Sequence, residues 1–177
     1  FNKYEDEILV KAGLVVKNEK GKHYDRFRDR IIFPIYSDKG KMIGFGGRVI
    51  NSEDTPKYYN SPETPLFQKS YELYGLLSSR KPIREKGYVL VVEGYMDVVG
   101  LAQSNIKNVV ATLGTATTAF HIKKLMRYTK EIIFCFDGDD AGRSAAWRAM
   151  SNALVSVTDS TQLKFLFLPD GHDPDSF

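Results

Sequence analysis

Residues 131–154, EIIFCFDGDDAGRSAAWRAMSNAL, put an apolar run, a cluster of acids and a helical stretch in direct succession. The run over 132–136 is short, continuous and rich in Ile and Phe, as in a strand covered on both faces. It stops at Asp137, Asp139 and Asp140, and the segment that follows is read as a helix. A strand running into a helix through a tight turn is one step of a βαβ repeat. The same alternation flanks it. YVLVVEG (88–94), KNVVATLG (107–114) and TQLKFLFLP (161–169) are read as strands, with helices in YMDVVGLAQSN (95–105) and TTAFHIKKLMRYT (117–129). Apolar strands separated by helices predict a parallel, Rossmann-like sheet over about residues 87–169.

Residues 1–86 have a different texture. KYEDEILVKAGLV (3–15) is read as a short helix stopped near Gly13. DRIIFPIYSDKGKMIGFGGRVI (29–50) is read as two strands joined by a turn at Ser37 to Gly40. SPETPLFQKSYELYGL (61–76) carries two prolines and then a short helical stretch. The expectation is a smaller mixed α+β part, followed by an α/β domain over 87–169 and the start of a further acidic segment over 170–177.

The 177 residues are 42% hydrophobic and 27% charged, as in an ordinary globular chain. No apolar run approaches membrane-spanning length, and no signal peptide is legible. The chain begins at Phe1 rather than Met and is read as part of a longer protein. The single cysteine, Cys135, rules out an internal disulfide and is read as a core thiol in a reducing, cytoplasmic setting. His23, His121 and His172 share no zinc-ligand spacing with it, so no structural zinc is expected. The net charge is +3, too mild to demand a polyanion, but basic residues cluster at Lys20, Lys22, Arg26, Arg28 and Arg30.

In open parallel sheets, ligands bind beyond the carboxyl ends of the strands. Those ends carry acids: Glu93, then Asp137 and Asp139, with Asp173 and Asp175 after the last strand. In an extended segment, residues two apart point the same way, so Asp137 and Asp139 can offer two carboxylates to one cation. Hard divalent cations such as Mg²⁺ or Mn²⁺ take such oxygen ligands, and clustered carboxylates without one repel. Taken singly, Asp-Gly-Asp is also a common solvated turn, Asp97 an ordinary first-turn acid, and Asp173 and Asp175 loop acids. Arg143 is read either as a phosphate contact or as the ion-pair partner of Asp139 or Asp140. TLGTATT (112–118) is read chiefly as a glycine turn and helix cap, its amides also able to meet a phosphate. In the first part, Arg26, Arg28 and Arg30 are expected on one face of an extended segment. Arg48, Lys57, Tyr58, Asn60 and Lys69 add to a basic, aromatic surface suited to nucleic acid, or else to a solvated face.

RFRDRIIFPI, GFGGRVI, PKYYNSPETPLF, YELYGL, VVEGYMDVV, ATLGTATT, CFDGDDAGRSAAWRA and LPDGHDPDSF stand in this order along almost the whole chain. Together they resemble the catalytic core of bacterial DNA primases of the DnaG type. The second half resembles the TOPRIM module shared with topoisomerases and certain nucleases. The resemblance implies metal-dependent synthesis of short RNA primers, from ribonucleoside triphosphates, on a single-stranded DNA template at the replication fork. It implies Glu93, Asp137 and Asp139 as catalytic, metal-binding acids, with Asp97, Asp173 and Asp175 as further acids of that site. Arg26, Arg28, Arg48, Lys57, Tyr58, Asn60 and Lys69 fall in blocks linked to template and nucleotide handling. A replicative helicase is implied as partner through a region not present here, and no membrane. The other readings are a TOPRIM nuclease or topoisomerase fragment, and a nucleotide-binding module without catalysis.

Overall fold

The computed structural model describes residues 4–156, 159–169, 172 and 174; Asp173 and Asp175 therefore lie outside the described residues. Two compact units divide the chain. One takes the chain up to Tyr36 together with Lys41–Gln68, and the other takes Ser37–Gly40 and the chain from Lys69 onward. No helix among the described residues is long and apolar enough to cross a membrane.

The first unit opens with α1 (Asp6–Lys11), whose acids Asp6 and Glu7 sit in its first turn and Lys11 in its last, as the helix dipole favours. Gly13, at φ 72°, ends it; a Cβ there would lie 2.6 Å from Pro62 Cδ. β1 (Val15–Lys17) and β2 (His23–Asp25) form an antiparallel pair. β3 (Arg30–Tyr36), β4 (Met42–Val49) and β5 (Tyr58–Asn60) form an antiparallel sheet in that order. The expected strand pair over 29–50 is therefore β3 and β4. The helical stretch expected within 61–76 is displaced to α2 (Leu76–Lys86), after Gly75 at φ 80°. Pro82 inside that helix masks it in the sequence, because proline usually reads as a helix breaker. Leu76 and Ile83 on α2 are buried in the core of the second unit, which is why that unit begins ahead of the first parallel strand.

In the second unit β6 (Tyr88–Val92), α3 (Tyr95–Gln103), β7 (Val109–Ala111), α4 (Ala119–Leu125), β8 (Glu131–Phe136), α5 (Asp140–Leu154) and β9 (Gln162–Phe167) follow in sequence. All strand pairs are parallel, and the spatial order is β7-β6-β8-β9. Strand alternation splits the core in two. Val89, Val91, Ile132 and Phe134 join Ile122, Leu125, Ala146 and Ala149 on one face, while Val92 and Cys135 join Val98 on the other. The outer edge of β7 is closed by a two-bond bridge between Tyr74 and Ala111. The chain leaves β6 toward β7 and returns past it to β8. The strand order thus reverses beside β6, and a crevice opens between the carboxyl ends of β6 and β8.

Candidate functional site

The acids of β6 and β8 meet at this switch point. Glu93 follows the last residue of β6, and Asp137 follows the last residue of β8. β8 ends at Phe136 and the chain bends through the buried Gly138, so strand alternation does not orient Asp137 and Asp139 as expected. Asp139 is placed instead as the N-cap of α5, its Oδ1 accepting the Gly142 N–H at 2.7 Å. Asp97 caps α3 in a similar way, its Oδ2 accepting the Gly94 N–H at 2.9 Å. Each carboxylate is thus fixed to a helix start that follows its strand, and Asp97 keeps the first-turn role open to it in the sequence.

The charges are close enough to feel one another. Partial burial, then Asp137, Asp97 and Asp139 in turn, raise the Glu93 carboxyl above the usual carboxylate range, and Arg148 opposes them. Among the described residues, no three Asp, Glu, His or Cys side chains close on a single metal position by themselves. The donor set fits a hard cation: Glu93, Asp97, Asp137 and Asp139 offer only oxygen, and their mutual repulsion is what such an ion relieves. A cation that keeps several waters needs few direct carboxylates. Cys135 is not a ligand of this kind; burial, with Asp97 and Asp137, pushes its thiol up to about 11, as in a core thiol.

A cavity of about 350 Å³ opens beside Glu93, lined also by Thr112, Thr115, Thr117, Phe136 and Arg148. Arg148 was not singled out in the sequence. The signal available was its spacing from Ala145, which puts both on one face of α5 three residues apart. Arg143 makes an exposed i,i+3 ion pair with Asp140 at 3.8 Å, one of the two roles open to it.

The basic residues of the first unit fall into two groups. The segment 26–29 is a turn between β2 and β3, with Asp29 at φ 52°, so Arg26, Arg28 and Arg30 do not share the face of an extended segment. The turn nevertheless gathers all three, with Tyr24 and Tyr59, around an open cavity of about 460 Å³. Arg26 and Arg30 stack over the Tyr59 ring at 5.3 and 5.4 Å, and Arg26 Nη1 donates to Tyr59 Oη at 2.8 Å. Arg28 lies over Tyr24 at 5.0 Å. Gly47 makes room, since a Cβ there would lie 2.9 Å from the Phe27 ring. The second group is Arg48 and Lys57, at 5.9 and 5.7 Å from the Tyr58 ring. Register puts it on the other face of the sheet: Arg48 pairs with Tyr58 and Gly46 with Asn60, whereas Tyr59 pairs with Gly47. Lys69 belongs to the second unit, where its carbonyl accepts from His121 Nε2 at 2.9 Å.

Comparison with known proteins accounts for both units. The family described as DNA primase catalytic core, N-terminal domain, matches residues 1–80, and the Toprim-like family matches residues 90–177. A DNA primase of Neisseria meningitidis is 58% identical over 177 residues, covering all of this chain and 30% of that protein. A solved DNA primase domain from Pseudomonas aeruginosa superposes with a TM-score of 0.91 at 56% identity, over 96% of this chain and 53% of that one. A DnaG primase catalytic domain solved bound to ssDNA gives 0.89 at 56% identity, over 96% and 54%. The chain thus spans less than a third of that curated relative and about half of the solved cores. Two family matches in tandem, together spanning nearly the whole chain, mean that this chain belongs to the family of DnaG-type DNA primase catalytic cores and carries their Toprim-like domain.

Proposed function

We propose that this chain is a catalytic segment of a DNA primase, a DNA-directed RNA polymerase that builds short RNA primers on single-stranded DNA. The observation that carries the reading is the gathering of Glu93, Asp97, Asp137 and Asp139 at the switch point of the parallel sheet. Glu93, Asp137 and Asp139 are the catalytic acids. With Asp97, and with Asp173 and Asp175 from the following segment, they would hold Mg²⁺ or Mn²⁺. When bound, such an ion lowers the pKa of an attacking 3′-hydroxyl and neutralises phosphate charge. Asp97 and Asp139, tied to the starts of α3 and α5, keep their carboxylates in place without cost at the moment of reaction.

The substrates are a single-stranded template and ribonucleoside triphosphates. The similar DnaG domain that was solved with ssDNA supports the first of these. Arg26, Arg28, Arg48, Lys57, Tyr58, Asn60 and Lys69 would hold backbone phosphates and stack bases, and Arg143 would meet a phosphate near the acids. The longer protein would work at a replication fork in the cytoplasm, with a replicative helicase as partner through a region outside this chain. The test is ribonucleotide incorporation by the full-length protein on a single-stranded template. Asp137→Ala should lower it by about a hundredfold or more while the fold survives. Undiminished incorporation would remove the acids from the reaction, and strand cleavage without incorporation would make the chain a nuclease.

A further inference from the structure

The loop from β7 to α4 is unused in the reading above. Gly114 takes φ 74°, in the left-handed region that glycine tolerates, and turns the chain after β7. The backbone N–H groups of Gly114, Thr115, Ala116 and Thr117 find no acceptor among the described residues. Gly114 and Ala116 are open to solvent, but Thr115 Oγ1 is buried and has no hydrogen-bond partner. Buried hydroxyls in folded proteins are almost always paired, so this one, closed to solvent and unpaired, is an exception that an acceptor at the loop would resolve. All four residues line the 350 Å³ cavity beside Glu93. Arg148 enters the same cavity from α5, and its guanidinium makes no hydrogen bond or ion pair among the described residues. The cavity is therefore lined by residues whose amides, hydroxyl or guanidinium lack an acceptor among the described residues.

We infer that residues 114–117 and Arg148 form an anion pocket for a terminal phosphate or diphosphate group. Such a group offers three oxygens on its outer phosphorus and nearly two charges, whereas a backbone phosphodiester offers two free oxygens and one charge. Several donors around one cavity match the former. Glu93 shares the cavity and opposes any anion, and the charge of Arg148 offsets it. The inference rests on the primase reading only for the source of the group, a nucleoside triphosphate or the diphosphate it releases. The binding itself stands on the loop and on Arg148.

The test is hydrogen–deuterium exchange on the full-length protein in chelator-treated buffer, with inorganic pyrophosphate as the probe. Pyrophosphate should slow exchange across 114–117. Arg148→Ala should weaken that protection about tenfold, the scale of one charge-assisted hydrogen bond. Thr115→Val should weaken it severalfold while folding as well as wild type, since a methyl replaces an unpartnered hydroxyl. No protection by pyrophosphate, or equal protection in wild type and in both variants, would overturn the pocket. Protection by an oligonucleotide and none by pyrophosphate would overturn it in favour of a backbone contact. Asp137→Ala separates the two readings: loop protection should survive in it while primer synthesis is lost.

Discussion

A Cβ on Gly142 would lie 2.1 Å from the Asp137 carbonyl oxygen and 3.0 Å from its carbonyl carbon. The first turn of α5 therefore presses directly on the turn that carries Asp137, and only hydrogen fits between them. Gly142→Ala should cost about 1–3 kcal/mol in urea denaturation, the range for forcing a group into a packed site. It should also reduce primer synthesis beyond what the lost folding explains, because Asp137 has to move. Full activity in a stably folded Gly142→Ala protein would show that the position of Asp137 is not critical. Glu93 makes a pH-dependent prediction. Its carboxyl is raised in the folded state, so it contributes stability at low pH that is lost as pH rises through the folded value. Above that value its charge repels Asp137, Asp97 and Asp139. In metal-free buffer Glu93→Gln should raise Tm at pH 8 and change it little at pH 4. Equal shifts at both pH values would mean that the acids do not interact.

α4 shows how one element is pinned by polar groups. His121 is fully buried; its Nδ1 accepts from Thr118 N–H at 3.1 Å, leaving its Nε2 proton for the Lys69 carbonyl at 2.9 Å. Thr118 Oγ1 donates to the Ser70 carbonyl, and Lys124 pairs with Glu72 at 2.7 Å. The segment 69–72 is thereby tied to α4 by three contacts from one helix end to the next. Burial, with some help from Lys124, lowers the His121 pKa to about 4, against an unfolded value of 6.5. The unfolded chain then binds a proton that the folded one refuses. Stability from this group is complete above pH 6.5 and is lost as pH falls toward 4, by up to about 3 kcal/mol. Urea midpoints between pH 7.5 and 4.5 should fall steeply in wild type and less in His121→Gln. A wild-type midpoint that stays flat across this window would show that His121 titrates normally.

At the scale of the molecule, the proposed template binding would draw on charge spread over many residues. Lys57 is exposed beside the Tyr58 ring, on the sheet face opposite the Arg26 cavity. If it meets one phosphate, Lys57→Ala should lower the slope of log K against log salt by about 0.7 for single-stranded DNA. Anisotropy titrations of a labelled oligonucleotide with the full-length protein give that slope, and an unchanged value would take Lys57 out of the interface. Arg26→Ala offers the comparison on the other face, with loss of its hydrogen bond to Tyr59 as an added structural cost.

The alternation of apolar runs with helices was legible along the chain because a doubly covered strand needs continuous Val, Ile and Phe. The acids at strand ends were legible because a parallel sheet puts its ligands there. Those two patterns set the fold class and named Glu93, Asp137 and Asp139. Strand order is not a local property: that β6 lies between β7 and β8, and so brings Glu93 to Asp137, depends on where each helix crosses the sheet. The same limit hid α2 behind Pro82, and hid the turn over 26–29 behind charges that alternate as a strand would. It also hid the split of Arg48 from Arg26 across the sheet and the arrival of Arg148 beside Glu93. Composition and periodicity act over neighbouring residues, so they suffice to read most of the elements and the chemistry these carry. Pairing, register and packing act between residues far apart in the chain, and which of those groups share a cavity follows from the folded arrangement alone.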